Sequence, residues 1–141
     1  GHGFTYGGHP VGCAVGIKTL EIYERMDAPA RVRALAPAFA AHLDRLAGHP
    51  LVGEARHTGL VGALELAPGK SPGGFATVRK GAPRPAQEPT DRGAIVRAVG
   101  DTIAFCPPMI ITPEEIDEMF DPVEAALDAT EAWARVEGHL G

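Results

Sequence analysis

Apolar residues recur along this chain with two different periods, and the switches between them divide it into elements. Residues 10–26 place Ile17, Leu20 and Tyr23 on one side and Lys18, Glu21 and Arg25 on the other, the spacing of a helix. Pro10 suits the first turn of that helix, where a missing N–H costs nothing. Gly12, Cys13, Ala14 and Gly16 keep its early part slim enough for another backbone to approach. A second helix is predicted over about 28–47, with Val32, Leu35, Phe39, Leu43 and Leu46 on one buried face, Asp27 as N-cap and Gly48-His49-Pro50 as the stop. Pro37 lies inside it and is expected to kink or locally unbond it.

The period then changes to two. Leu51–Arg56 and Gly59–Leu66 read as strands joined at His57-Thr58, with Leu60, Gly62, Leu64 and Leu66 on one face of the second. Ala94–Val99 and Thr102–Cys106 read as another pair joined at Gly100-Asp101. The last helix starts at a capping box with proline at its first position, Thr112-Pro-Glu-Glu115. Its apolar face is Ile116, Met119, Phe120, Val123, Leu127 and Trp133. Residues 67–91, with Pro68, Pro72, Pro83, Pro85 and Pro89 among many glycines, break the pattern and read as an irregular loop. Helix, helix, hairpin, hairpin, helix is an α+β layer, a small antiparallel sheet with helices on one face.

Composition narrows what such a layer can do. At 141 residues, roughly one domain is expected, large enough to bury about two-thirds of its unfolded surface. A net charge of −5 argues against nucleic acid and anionic membranes as partners, and no run of about 18 apolar residues is present. Cys13 and Cys106 are far apart and each in an apolar context, which fits a reducing cytoplasm better than a disulfide framework. The two cysteines lack Cys-x-x-Cys spacing and the six histidines form no His-x-x-x-His pair, so no metal site is predicted.

Two stretches carry candidate chemistry. Gly1-His-Gly-Phe-Thr-Tyr-Gly-Gly-His-Pro10 is a glycine-broken segment with a threonine hydroxyl, leading into a helix N-terminus. Backbone N–H groups, a hydroxyl and a helix dipole suit a phosphate, although a glycine-rich turn before a helix is also an ordinary structural device. Arg97 lies mid-strand in Ile95-Val-Arg-Ala-Val-Gly-Asp101. Its planar fork suits bidentate carboxylate binding, or it decorates the solvent face of an edge hairpin with its stem covering apolar surface. Asp101 reads as turn chemistry, and Glu114, Glu115, Asp117 and Glu118 as a first-turn cluster favoured by the helix dipole.

Together the Phe4-Thr-Tyr-Gly-Gly-His-Pro10 segment, Arg97 with Gly100-Asp101, and Cys106-Pro-Pro-Met-Ile-Ile-Thr112 resemble the C-terminal part of a class III, pyridoxal-phosphate-dependent aminotransferase. Among these, the omega-amino-acid:pyruvate branch is the most similar. The resemblance covers residues 1–66 and 94–130 and departs across 67–91, where the family has a helix. It implies part of a fold-type I transferase, with residues 1–26 ending the cofactor-binding large domain and residues 27–141 forming the C-terminal small domain. It further implies that Thr5 binds the phosphate of pyridoxal 5'-phosphate in the neighbouring subunit of a homodimer, that Phe4 lines the same pocket, and that Arg97 grips the carboxylate of the substrate and swings aside for substrates lacking one. The reaction implied moves an amino group from an omega-amino acid or amine donor to pyruvate, a keto-acid acceptor.

In the family a catalytic lysine precedes the Phe-Thr-Tyr segment, and none of Lys18, Lys70 and Lys80 stands in a matching context. The isolated chain is therefore expected to be a fragment that does not turn over. Two further readings stand beside this one: a non-catalytic remnant that keeps only the small-domain fold, and an aminomutase or decarboxylase relative.

Overall fold

A computed structural model describes residues 3–67, 89 and 93–140. Helix α1 (Pro10–Arg25) and helix α2 (Ala28–Leu46) precede strands β1 (Val52–Thr58), β2 (Val61–Leu66), β3 (Arg97–Val99) and β4 (Thr102–Phe105), and helix α3 (Pro113–Val136) ends the series. The irregular segment expected over 67–91 lies outside the described residues except for Ala67 and Pro89. Both of these are buried, with Ala67 N–H donating to the Leu51 carbonyl at 2.9 Å and the Pro89 carbonyl accepting from Ala94 at 2.8 Å.

The strands form one antiparallel sheet in the order β1-β2-β4-β3, so the two hairpins meet along β2 and β4. Period-two alternation sends Leu64, Leu66, Ile103 and Phe105 to one face, where α2 and α3 cover them. Phe120 of α3 is the hub of that interior, 5.5 Å from the Phe39 ring, 5.0 Å from Phe105 and stacked on His42 at 4.7 Å. Burying an aromatic ring of this kind contributes about 1.5–3 kcal/mol. Gly62 is required where β2 passes beneath α2. A Cβ there would stand 2.3 Å from Leu43 Cδ1 and 2.9 Å from Phe39 Cε1.

Three sequence expectations are corrected. The β1–β2 connection falls at Gly59-Leu60, two residues later than His57-Thr58. Gly59 adopts φ +57, a conformation available to glycine without strain, while His57 and Thr58 still pair with Gly62 and Val61. Strand β3 begins at Arg97 instead of Ala94, because only residues 97–99 have partners in β4. Strand β4 stops at Phe105, just before Pro107, which has no N–H to donate. Helix α2 stays continuous through Pro37, which unbonds it locally as expected. The carbonyl that proline leaves without an intrahelical donor belongs to exposed Arg33, where water can reach it.

The caps behave as their sequence suggests. Asp27 sits in the left-handed region (φ 44) and accepts the Ala30 N–H at 3.2 Å. Thr112 accepts the Glu115 N–H at 3.2 Å while the Glu115 carboxylate accepts the Thr112 N–H at 2.8 Å, a complete capping box. Arg31 holds the β4–α3 connection by donating to the carbonyls of Met109 (2.8 Å), Ile110 (3.0 Å) and Ile111 (3.1 Å). Helix α1 differs from the other two helices: it buries no residue, and the expected stripe of Ile17, Leu20 and Tyr23 is exposed.

Candidate functional site

The segment before α1 is a tight turn followed by an open helix start. Gly7 N–H donates to the Phe4 carbonyl at 2.8 Å, His9 N–H to the Tyr6 carbonyl at 3.1 Å, and Gly8 takes φ +76. The Phe4 and Tyr6 rings stack at 5.6 Å, leaving Thr5 between them with its side chain exposed. His9 is the N-cap residue of α1 but makes no side-chain cap bond. The first helical hydrogen bond runs from Cys13 N–H to the His9 carbonyl at 3.0 Å, so Val11 and Gly12 have no intrahelical acceptor. No acidic residue stands in that first turn. A hydroxyl, two open N–H groups and the positive end of a helix dipole are donors of the kind that a phosphate dianion takes.

Arg97 occupies the other end of the chemistry. Register pairs place Arg56, Ala63, Ala104 and Arg97 in one row across the face of the sheet that none of the described helices covers. With strands about 4.8 Å apart, the two arginines stand roughly 14 Å from one another. Their electrostatic surroundings are opposite. Arg56 pairs with Glu65 at 3.0 Å and Glu54 at 3.3 Å, and the hydrogen bond to Glu65, then that to Glu54, holds its guanidinium above the ordinary arginine range. Among the described residues Arg97 has no ion pair or hydrogen bond, and it is exposed on the edge strand. A fixed cation with unused donors on a polar-poor surface is suited to a carboxylate. No described contact joins Arg97 to Thr5.

The remaining polar clusters belong to the scaffold. Along α2, His42, Arg45 and the following His49 face acids of α3. His42 Nε2 lies 2.6 Å from Asp117, Arg45 pairs with Glu124, and His49 Nε2 lies 3.4 Å from Asp128 and 3.5 Å from Glu131. The trio of His49, Asp128 and Glu131 has the composition of a metal site, which sequence spacing gave no hint of because His49 is far from the acids along the chain. The hydrogen bond of Leu51 N–H to His49 Nδ1, at 3.1 Å, argues against coordination. With Nδ1 accepting, Nε2 is left to carry the ring proton, and this buried atom makes no hydrogen bond among the described residues although the two carboxylates stand near it. Glu131 is further held by Arg135 at 2.7 Å. Lys18 is paired with Glu21 at 2.7 Å on the exposed side of α1, and Cys13 and Cys106 are free, exposed thiols.

This arrangement, an antiparallel sheet with helices on one face and an open arginine on the other, is that of an α+β unit in a fold-type I transferase. The family model "Aminotransferase class-III" matches residues 1–127, a span that takes in residues 67–91 as well. The chain belongs to the class-III aminotransferase family, whose cofactor is pyridoxal 5'-phosphate. It is 41% identical to gamma-aminobutyrate transaminase 1, mitochondrial, from Oryza sativa subsp. indica, over 92% of this chain and 25% of that protein. Among solved structures it is similar to the PMP-bound form of an aminotransferase from Vibrio fluvialis (41% identity, TM-score 0.81, 93% of this chain and 29% of that one). An omega-aminotransferase from Paracoccus denitrificans is comparably similar, at 42% identity and TM-score 0.80 over 93% of this chain and 29% of that one. The chain spans about a quarter of the length of the curated relatives it matches.

Proposed function

We propose that these residues form the C-terminal part of a pyridoxal-phosphate-dependent transaminase that moves an amino group from an omega-amino acid or amine to pyruvate. In this reading residues 1–26 end the cofactor-binding domain and connect it to a small domain formed by residues 27–141. The observation that carries it is the guanidinium of Arg97, exposed and without a partner among the described residues, in contrast to the doubly paired Arg56. Arg97 binds the carboxylate of the acceptor with its two-pronged fork and so orients the keto carbon. The names of the relatives, gamma-aminobutyrate transaminase and omega-aminotransferase, support the donor class.

Thr5 donates its hydroxyl to the cofactor phosphate, Phe4 lines the same pocket, and the open N–H groups of Val11 and Gly12 add to the positive potential there. When bound, the cofactor withdraws electrons from the amine-bearing carbon and makes its C–H acidic. The lysine that moves that proton comes from outside these residues, and the 141-residue chain alone is expected to give no alanine above a blank from cofactor, amine and pyruvate. Exposure of Phe4, Thr5, Tyr6 and the whole of α1 supports a site completed by a second subunit, hence a homodimer. Two exposed thiols support a reducing compartment such as the cytoplasm.

The reading is tested in an assembled transaminase carrying this chain. Thr5→Ala is expected to speed loss of cofactor on dialysis. Arg97→Ala is expected to raise KM for pyruvate far more than for a simple aldehyde. Equal losses for both acceptors would remove Arg97 from its role.

A further inference from the structure

Between the end of β4 at Phe105 and the N-cap of α3 at Thr112 the chain crosses a segment with little backbone bonding of its own. Pro107 and Pro108 have no N–H to give, and the described bond inside the segment is a single turn, from the Ile111 N–H to the Pro108 carbonyl at 3.0 Å. Its anchor comes from α2. The Nε–H of Arg31 donates to the Met109 carbonyl at 2.8 Å, and Nη2 donates to those of Ile110 (3.0 Å) and Ile111 (3.1 Å). Among the described residues no carboxylate pairs with Arg31, and the hydrogen bonds it makes all go to this backbone. A planar fork that reaches three successive carbonyls fixes both the place and the orientation of the segment, which a single ammonium on a flexible stem does not.

The anchored segment borders Arg97. The cross-strand partner of Arg97 is Ala104, and the segment begins just beyond it, at Cys106. Strand β3 is three residues long and pairs with β4 alone, so the placement of Arg97 depends on the last residues of β4. Ala94 and Ile95, which lead into β3, line one cavity together with Pro107, Pro108 and Ile111. We propose that Arg31 is a positioning residue for the carboxylate subsite. By pinning residues 109–111 it holds the end of β4, and through β4 it sets Arg97 in place before the acceptor arrives. Such preorganisation strengthens binding, because the ligand need not order the group that grips it. The inference rests on the assignment of Arg97 to carboxylate binding and extends that subsite to a residue on another element, which does not itself touch the acceptor.

The test measures kcat and KM for pyruvate and for a simple aldehyde in the assembled transaminase bearing R31A, R31K, R97A or R31A/R97A. R31A is expected to raise KM for pyruvate about tenfold, with kcat and the aldehyde KM staying within about twofold. R31K keeps the charge without the fork and should recover little of that loss; full recovery would assign the effect to charge alone and overturn the proposal. In the R97A background R31A should add nothing to the pyruvate KM, because the group it positions is gone. A rise in KM or a fall in kcat common to both acceptors would mark general damage to the fold and overturn the proposal, as would an unchanged pyruvate KM. Should R31A fail to fold, R31K carries the same expected selectivity for pyruvate over the aldehyde. If R97A itself affects both acceptors equally, the parent assignment fails; if R97A is selective for pyruvate while R31A is silent, only the role of Arg31 fails.

Discussion

The two edges of the sheet use the same residue for opposite ends. At the β1 edge, seven residues long, Arg56 is neutralised by one glutamate on its own strand and another on the neighbouring one. At the β3 edge, three residues long and wholly exposed, Arg97 stands in the same cross-strand row with alanine beside it and no partner among the described residues. A surface arginine held by two carboxylates is a finished structural element, and its contribution is small because water already solvates all three groups. One left unpaired beside small residues keeps its full binding capacity for a ligand anion. Arginine content therefore says little about function; the identity of the cross-strand neighbours decides it.

Removing one charge from each edge breaks or sustains this contrast most directly. R97A is expected to raise the pyruvate KM of the assembled enzyme about a hundredfold, whereas R56A should leave it within about twofold. Comparable effects from the two would mean that general positive potential, and not a specific subsite, attracts the acceptor; a steep loss of the R97A effect at high salt would point the same way.

A change beneath the centre of the sheet should act on both edges alike. Gly62→Val forces a branched side chain against Leu43 and Phe39 and is expected to destabilise the fold by about 1–3 kcal/mol, read as a lower denaturation midpoint. Unaltered stability would show that α2 can lift away from β2 without cost. The smallest effect expected is that of Thr112→Ala, which removes half of the capping box of α3 and should cost about 1 kcal/mol. Since α3 covers the side of the sheet opposite Arg97, pyruvate KM should not follow that loss.

Much of this frame was legible in the residues. The 3–4 spacing in α2 and α3, the Thr112 capping box and the alternation of Leu60, Gly62, Leu64 and Leu66 each reflect one local rule, and the structure follows them. The β1–β2 turn was misplaced because His57 and Thr58 look like turn residues; His57 in fact stays in the strand and pairs with Asp44 of α2 at 3.1 Å. Thr5 and Arg97 could be marked as candidates from their own neighbourhoods. What distinguishes Arg97 from Arg56 could not, since it depends on register through four strands and a connection across residues 67–91. The His49, Asp128 and Glu131 cluster was equally hidden, because a helix–helix seam brings it together.

Helix α1 has a practical consequence. The core cluster runs from Leu35 to Ala134 and owes none of its members to residues before Asp27, the cap of α2. A polypeptide expressed from Asp27 onward would shed the greasy Val15, Ile17 and Leu20 while keeping its interior intact, and should be a better-behaved specimen for spectroscopy than the full 141 residues. Titrating such a truncated specimen with pyruvate by NMR, and watching the amide signals around Arg97, would look at acceptor recognition in isolation from catalysis.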